Sequence, residues 1–261
     1  MSTVAGSFWK HRRALSNFIS IPMLAEQPDS FALKQFRLHH LQSSMKVGTD
    51  AVLLGAWAPT PEQERVLDVG TGCGILALLL AQRGASHVDA IDPDQPSVEE
   101  ARLNFANSPW KEKLHVHHIK LQDYRGIPGG YSLMICNPPY FRQHLTSEAR
   151  RRATARHDFL LPPEDLALHA VRLGSDNSRI CLIYKTRFFN DLLYAMAQGG
   201  WFLHRRQDVV GCPGGQITLT LSEWRRQPAD VITMPVLKIR DDDGSWHPDY
   251  RNLTSAFYPH F

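Results

Sequence analysis

A strand that runs into a glycine-rich turn and leaves it as a helix constrains this chain more than any other stretch. Val66-Leu67-Asp68-Val69 is an apolar run holding one acid, Gly70-Thr71-Gly72-Cys73-Gly74 follows, and residues 75–82 are rich in Leu and Ala. Glycines at such a junction permit positive φ and let a ligand approach the backbone. The same alternation continues along the chain. Residues 87–91, 114–119, 131–136 and 179–184 read as strands, with helical patterns over 97–107, 164–173 and 187–198. Glu164 and Asp165 suit a first helical turn, and Gly174 is the expected stop. Residues 201–210 and 216–224 are two more strands, joined by a Gly/Pro turn. The pattern predicts an α/β fold: a mostly parallel seven-stranded sheet with an antiparallel pair at its C-terminal edge and helices on both faces. Residues 231–239 are a further strand candidate.

The glycine spacing narrows the ligand. A dinucleotide fingerprint, G-x-G-x-x-G, would need its third glycine at position 75, which is Ile75. The spacing here is G-x-G-x-G with an acid two residues ahead. It resembles the Rossmann-like S-adenosylmethionine (SAM) methyltransferases, which bind the methionine end of SAM at this loop. Asp92 closes the next strand, where a carboxylate accepts both ribose hydroxyls. Asp123, after the third strand, stands where a polar group would face the adenine of the cofactor. By this resemblance Asp68, Gly70, Gly72, Gly74, Asp92 and Asp123 bind the cofactor, and the cofactor is SAM.

Asn137-Pro138-Pro139-Tyr140 directly follows the fourth strand. Open α/β sheets bind ligands at that edge. Alone, the tetrapeptide could be a proline-stiffened turn. Behind a SAM-type loop it resembles the site of methyltransferases that modify planar nitrogens, the exocyclic amine of adenine or the side-chain amide of glutamine. Such a nitrogen is a poor nucleophile because its lone pair is delocalised. The Asn137 side-chain oxygen and the Pro138 carbonyl can take its two N–H bonds, orient it and favour the charge that develops on it. Tyr140 offers a ring for a flipped base to stack on, and Phe141 can wall the pocket. Asn137, Pro138 and Tyr140 are therefore the catalytic candidates, with Asn137 also at the cofactor, and Pro139, Tyr140 and Phe141 face the substrate.

Four further stretches point to a family. Phe31-Ala32-Leu33-Lys34-Gln35-Phe36 and Met45-Lys46-Val47-Gly48-Thr49-Asp50, with the apolar run to Trp57, precede the sheet, residues 104–110 span the end of the second helix of the alternation, and Leu253-Thr254-Ser255-Ala256-Phe257-Tyr258 closes the pattern. With the two motifs above, residues from about 30 to 261 resemble the bacterial tRNA1(Val) adenine-N6 methyltransferases, least clearly over 184–249. The resemblance implies SAM-dependent methylation of adenine 37, just 3′ of the anticodon, with a valine tRNA as partner. It also places Lys46, Gly48, Thr49 and Asp50 near the cofactor and the site entrance. From pattern alone, Thr49 or Asp50 would cap the helix that follows.

Arg142, Arg150, Arg151, Arg152 and Arg156 follow the tetrapeptide, opposed only by Glu148 as far as His157. A loop this basic at a base-binding rim can hold phosphates, and Arg205, Arg206, Arg225 and Arg226 would extend it. Net charge is only +3, so an RNA partner has to be met by such a local patch. Three alternatives share part of the pattern. A protein glutamine N5-methyltransferase would normally carry a helical N-terminal lobe. Another RNA or DNA adenine-N6 methyltransferase is possible, although a DNA enzyme would need a longer base-reading insertion. A catalytically silent RNA-binding scaffold conflicts with the intact Asp68, Gly70, Gly72, Asp92 and Asn137.

The four cysteines have neither paired nor zinc-like spacing, which suggests a reducing cytoplasm and no metal. Asp241-Asp242-Asp243-Gly244 reads as a solvated hairpin tip rather than a metal loop. No apolar run approaches the roughly 18 residues of a membrane span. Residues 1–30 carry Lys10, Arg12 and Arg13 and no acid before Glu26, and are expected to be an unordered extension rather than a transit peptide. Residues 31–261 are expected to form one methyltransferase domain that opens with a strand and helix over 31–60. Oligomeric state is open, with a monomer the expectation.

Overall fold

The computed structural model describes residues 30–43, 47–138 and 161–260. The chain enters through a hairpin, β1 (Ser30–Ala32) antiparallel to β2 (Arg37–His39), where one continuous strand was expected. Leu33 and Phe36 are both buried, and an odd spacing of three cannot put two side chains on one face of a flat strand. The chain turns between them, with Leu33 N donating to Phe36 O at 2.9 Å and Lys34 N donating to Phe257 O at 2.7 Å. Helix α1 (Thr49–Trp57) is capped by Gly48 with no side-chain bond, so neither Thr49 nor Asp50 is the cap; both lie in its first turn.

The alternating units follow as the periodicity predicts: β3 (Arg65–Val69), α2 (Ile75–Gln82), β4 (His87–Asp92), α3 (Gln95–Ala106), β5 (Leu114–His118) and β6 (Tyr131–Cys136). Then come α4 (Pro163–Leu173), β7 (Gly174–Lys185), α5 (Phe189–Gln198), β8 (Phe202–Val210) and β9 (Ile217–Arg225). Gly174 ends α4 in extended backbone and passes directly into β7, rather than closing the helix in a left-handed turn. The expected strand over 231–239 is two short pieces, β10 (Ile232–Thr233) and β11 (Leu237–Lys238), and α6 (Pro248–Thr254) closes the fold.

Strands β5, β4, β3, β6 and β7 lie side by side in parallel, and β9 then β8 continue the sheet antiparallel. The expected antiparallel pair is present, but β8 is not a bare edge. β10 and β11 both pair with its outer margin in parallel. β9 takes the inner place because it is buried from Leu219 to Trp224, whereas β8 carries Arg205, Arg206 and Asp208. Side-chain alternation divides the core into two layers. Leu133 and Ile135 of β6 pack with α1, α2, α3 and α6 on one face; Met134 and Cys136 pack with α4 and α5 on the other. No helix among the described residues is long and apolar enough to cross a membrane. Residues 241–244 form a turn between the bridge partners Arg240 and Trp246.

Candidate active site

Strand register assembles the site. Val69 of β3 pairs with Ile91 of β4 on one side and with Cys136 of β6 on the other. One residue further along each strand, Gly70, Asp92 and Asn137 therefore stand in a row at the carboxyl edge of the sheet. Three stretches that are far apart in sequence meet there because β6 pairs directly with β3.

The glycine loop is pinned from several sides. Gly70 N and Thr71 N both donate to Ile91 O, at 2.9 and 3.1 Å, and Gly72 N donates to Asp92 Oδ2 at 2.8 Å. Gly70, Gly72 and Gly74 have φ of 72°, 56° and 89°, a region that favours glycine. A Cβ on Gly70 or Gly72 would meet nothing within 4 Å, so both sit under open space. A Cβ on Gly74 would collide with the ring of Phe105, so the loop lies directly on α3.

Asp68 is fully buried at the end of β3. Its Oδ2 accepts from Thr71 Oγ1 at 2.6 Å and from Ala77 N at 3.1 Å. It thereby caps α2, whose N-cap position, Gly74, has no side chain to do so. Its other oxygen, Oδ1, is buried with no hydrogen-bond partner among the described residues. Burial is the main force on this carboxyl and pushes its pKa up to about 7, with the charge of Asp92 adding to the rise against both hydrogen bonds.

Asp92 binds Gly72 through Oδ2 and accepts from Asp94 N through Oδ1 at 2.9 Å, which ties the glycine loop to the start of α3. Burial raises its pKa against those two amide bonds. Each carboxylate oxygen can accept twice, so capacity for ligand hydroxyls remains. Asp123 is exposed in a turn past β5, where Asp123 N donates to Lys120 O at 3.1 Å. That segment leaves the sheet with Ile119 N bonded to Asp92 O at 3.1 Å.

Asn137 is half-buried and Pro138 buried immediately after β6. Thr49 is half-buried at the start of α1. Beside it, burial raises the pKa of Asp50 while the nearby Lys185, at the end of β7, opposes the rise. Lys46, Pro139, Tyr140, Phe141, Arg142, Arg150, Arg151, Arg152 and Arg156, and the N-terminal extension apart from Ser30, lie outside the described residues.

The second arginine group is committed elsewhere. Arg205 stacks on Trp57 at 3.8 Å and pairs with Glu223 at 3.1 Å, and Arg206 pairs with Asp208 at 3.0 Å. Arg225 pairs with Glu223 at 2.8 Å, and Arg226 donates to Gly199 O and Gly200 O at 2.9 and 2.8 Å. In the glycine loop, burial pushes the Cys73 thiol up to about 12, which leaves it no role as a thiolate.

Two supporting residues complete the site: Glu100, which no sequence motif singles out, and Asn104, which the sequence marks only as the start of the 104–110 stretch. They lie one turn apart on the buried face of α3, and Asn104 Nδ2 donates to Cys73 O at 2.8 Å. The available signal was a Glu and an Asn at i, i+4 beside the apolar positions Val98, Ala101 and Phe105.

Residues 41–157 match the family model of the methyltransferase small domain. A predicted O-methyltransferase from Agrobacterium tumefaciens shares the fold with a TM-score of 0.64 at 17% identity, over 80% of this chain and 96% of that one. A geranyl diphosphate methyltransferase in complex with SAM aligns with a TM-score of 0.51 at 12% identity, over 68% of this chain and 84% of that one. The residues present fit SAM: among the described residues a buried carboxylate oxygen on Asp68 lacks a donor, and the loop beside it is open above Gly70 and Gly72. Fold and site together define a Rossmann-like, SAM-dependent methyltransferase. The tRNA1(Val) (adenine(37)-N6)-methyltransferase of Musicola paradisiaca is 36% identical over 234 residues, 88% of this chain and 94% of that protein. Its counterpart in Edwardsiella ictaluri is 35% identical over 235 residues, covering 89% and 95%. This chain belongs to the tRNA1(Val) (adenine(37)-N6)-methyltransferase family.

Proposed function

We propose that this chain methylates the exocyclic N6 of adenine 37 in tRNA1(Val). The observation that carries this reading is identity of about one residue in three with enzymes of that name over nearly nine-tenths of the chain. In this reading Asp68, Gly70, Gly72, Gly74, Asp92 and Asp123, with Lys46 and Thr49, hold SAM. Bound SAM supplies an electrophilic methyl group on its sulfonium. Asp68 Oδ1 is the acceptor for a cationic donor at the methionine end, and Asp92 takes the ribose hydroxyls.

Asn137 and Pro138 act on the other partner. Their two carbonyl oxygens accept the two N–H bonds of the adenine amine and fix the nitrogen at the sheet edge, one strand from the glycine loop. Neither oxygen is a base, so as the N–C bond formed and the bond from methyl to sulfur broke, the proton lost from nitrogen would leave to solvent. Rate enhancement then comes from positioning and preorganised acceptors. Pro139, Tyr140 and Phe141 would wall and stack the flipped base. Arg150, Arg151, Arg152 and Arg156 would hold tRNA phosphates. Cytoplasmic location fits four unpaired cysteines, three of them buried.

The test is to incubate the protein with methyl-labelled SAM and tRNA lacking the modification, then digest and map the label. N6-methyladenosine at position 37 of tRNA1(Val) is the expected product. Label in a different nucleoside, or in a release factor instead of tRNA, would overturn the assignment.

A further inference from the structure

Glu100 and Asn104 are 4% and 1% exposed on a helix face that also holds Ser97, Val98, Ala101 and Phe105. Polar groups buried this deeply are costly unless fully bonded, and here their bonds go to two backbone segments. Glu100 accepts from three consecutive amides, Leu41 N at 2.6 Å, Gln42 N at 3.0 Å and Ser43 N at 2.9 Å. These bonds hold its carboxyl below the ordinary glutamate range against the opposing effect of burial. Asn104 accepts from His39 N at 2.8 Å and spends both of its own N–H bonds, on His39 O and on Cys73 O, each at 2.8 Å.

One amide side chain thus bridges two parts of the chain that are far apart in sequence. Cys73 lies between Gly72, whose N–H is held by Asp92, and Gly74, which rests on Phe105. On the other side, residues 39–43 form a strap that continues from β2. The strap and the cofactor loop share a support on α3.

We propose that Glu100 and Asn104 are positioning residues that lock the 39–43 strap onto the cofactor loop, so that strap order and SAM affinity rise and fall together. Coupling of this kind is reciprocal: if an ordered strap tightens SAM binding, SAM must order the strap by the same factor. The inference rests on SAM as cofactor and is independent of the tRNA assignment, because its test contains no RNA.

Hydrogen exchange at the Leu41, Gln42 and Ser43 amides, with and without SAM, reads the coupling in the wild-type protein. Exchange there should slow about tenfold on SAM binding, a size typical of coupled sites. Asn104→Ala should remove most of that protection and raise the calorimetric SAM Kd about tenfold. Glu100→Gln, which puts an amide N–H against backbone donors, should act in the same direction. Leu192→Ala, a buried change on the opposite sheet face, controls for general destabilisation and should leave the Kd of the folded protein within about twofold. Strap amides indifferent to SAM in the wild type would overturn the proposal even if no variant folds. An Asn104→Ala protein that folds and binds SAM with wild-type Kd would do so as well.

Discussion

Asp68 serves as both a helix cap and a charge. Its bonds to Thr71 and Ala77 favour the carboxylate, while burial and Asp92 favour the acid, and the balance falls at about 7. A raised folded-state pKa favours the fold most below the unfolded value of about 3.9, and that contribution is lost as pH rises through about 7. The SAM-free protein should therefore lose urea stability between about pH 5 and 8, and Asp68→Asn should flatten that limb. A ligand cation at Oδ1 would pull the pKa back down, so saturating SAM should also weaken the slope. At the proposed substrate side, Asn137→Ala would remove one of the two acceptors assigned to the target amine. It should lower kcat by about 10²–10³, the range measured for single preorganised groups, while the calorimetric SAM Kd stays within about threefold. Asp92→Ala should do the reverse and weaken SAM binding, since it frees Gly72 N and would lose the proposed ribose acceptor. An unchanged SAM Kd in that variant would reject the ribose role.

The glycine loop separates two reasons for the same residue type. Gly72 and Gly74 both have positive φ, but only Gly74 also lacks room for a Cβ. Gly72→Ala should cost about 1–2 kcal/mol of stability from backbone strain alone. Gly74→Ala adds overpacking against Phe105, about 1–3 kcal/mol more. Urea midpoints of the two variants would check the difference, and equal losses would mean that Phe105 moves aside without penalty. The G-x-G-x-G spacing is plain in the sequence. The reason for its last glycine is not, because Phe105 is on the next helix of the fold and no local pattern links the two. The opening strand departs from its expected form for a related reason: Leu33 and Phe36 fit alternation poorly, and the turn between them is held by Phe257 from the far end of the chain.

At the scale of the whole molecule, buried and surface charges have different work. Away from the ligand edge, Asp89 joins four strands: it bonds Tyr131 at 2.7 Å, His87 at 3.0 Å and His117 at 3.1 Å, with Arg65 at 3.6 Å. Although burial opposes it, these partners hold its carboxyl well below the usual range. A depressed folded-state pKa gives stability that is complete above about pH 4 and lost as pH falls further. Acid unfolding should therefore steepen below about pH 4, and Asp89→Asn should reduce that pH dependence while lowering stability at neutral pH. RNA affinity should divide the arginines in the same global way. Replacing Arg150, Arg151 and Arg152 with Ala should reduce the slope of log affinity against log salt by about one for each phosphate left without its arginine. Arg205→Ala should leave that slope unchanged and lower stability instead, because its guanidinium is spent on Trp57 and Glu223. Anisotropy titrations with tRNA across a salt series would measure both.

Local chemistry alone determined the succession of strands and helices, the placement of the glycine loop between the first unit's strand and helix, and the Asn-Pro-Pro-Tyr stretch at the end of a strand. Those features depend on periods of two and 3.6 residues and on the backbone limits of glycine and proline, all of which act within a few residues. Tertiary structure decided the rest. Only the pairing of β6 with β3 brings Asn137 level with Gly70 and Asp92, and only the insertion of β9 inside β8 leaves β8 to be covered by β10 and β11. Packing likewise committed Arg205, Arg206, Arg225 and Arg226 to neighbouring side chains and backbone, and Glu100 and Asn104 to the strap and loop. A buried polar group takes whatever partner the packed fold presents, and its identity is not written near the residue itself.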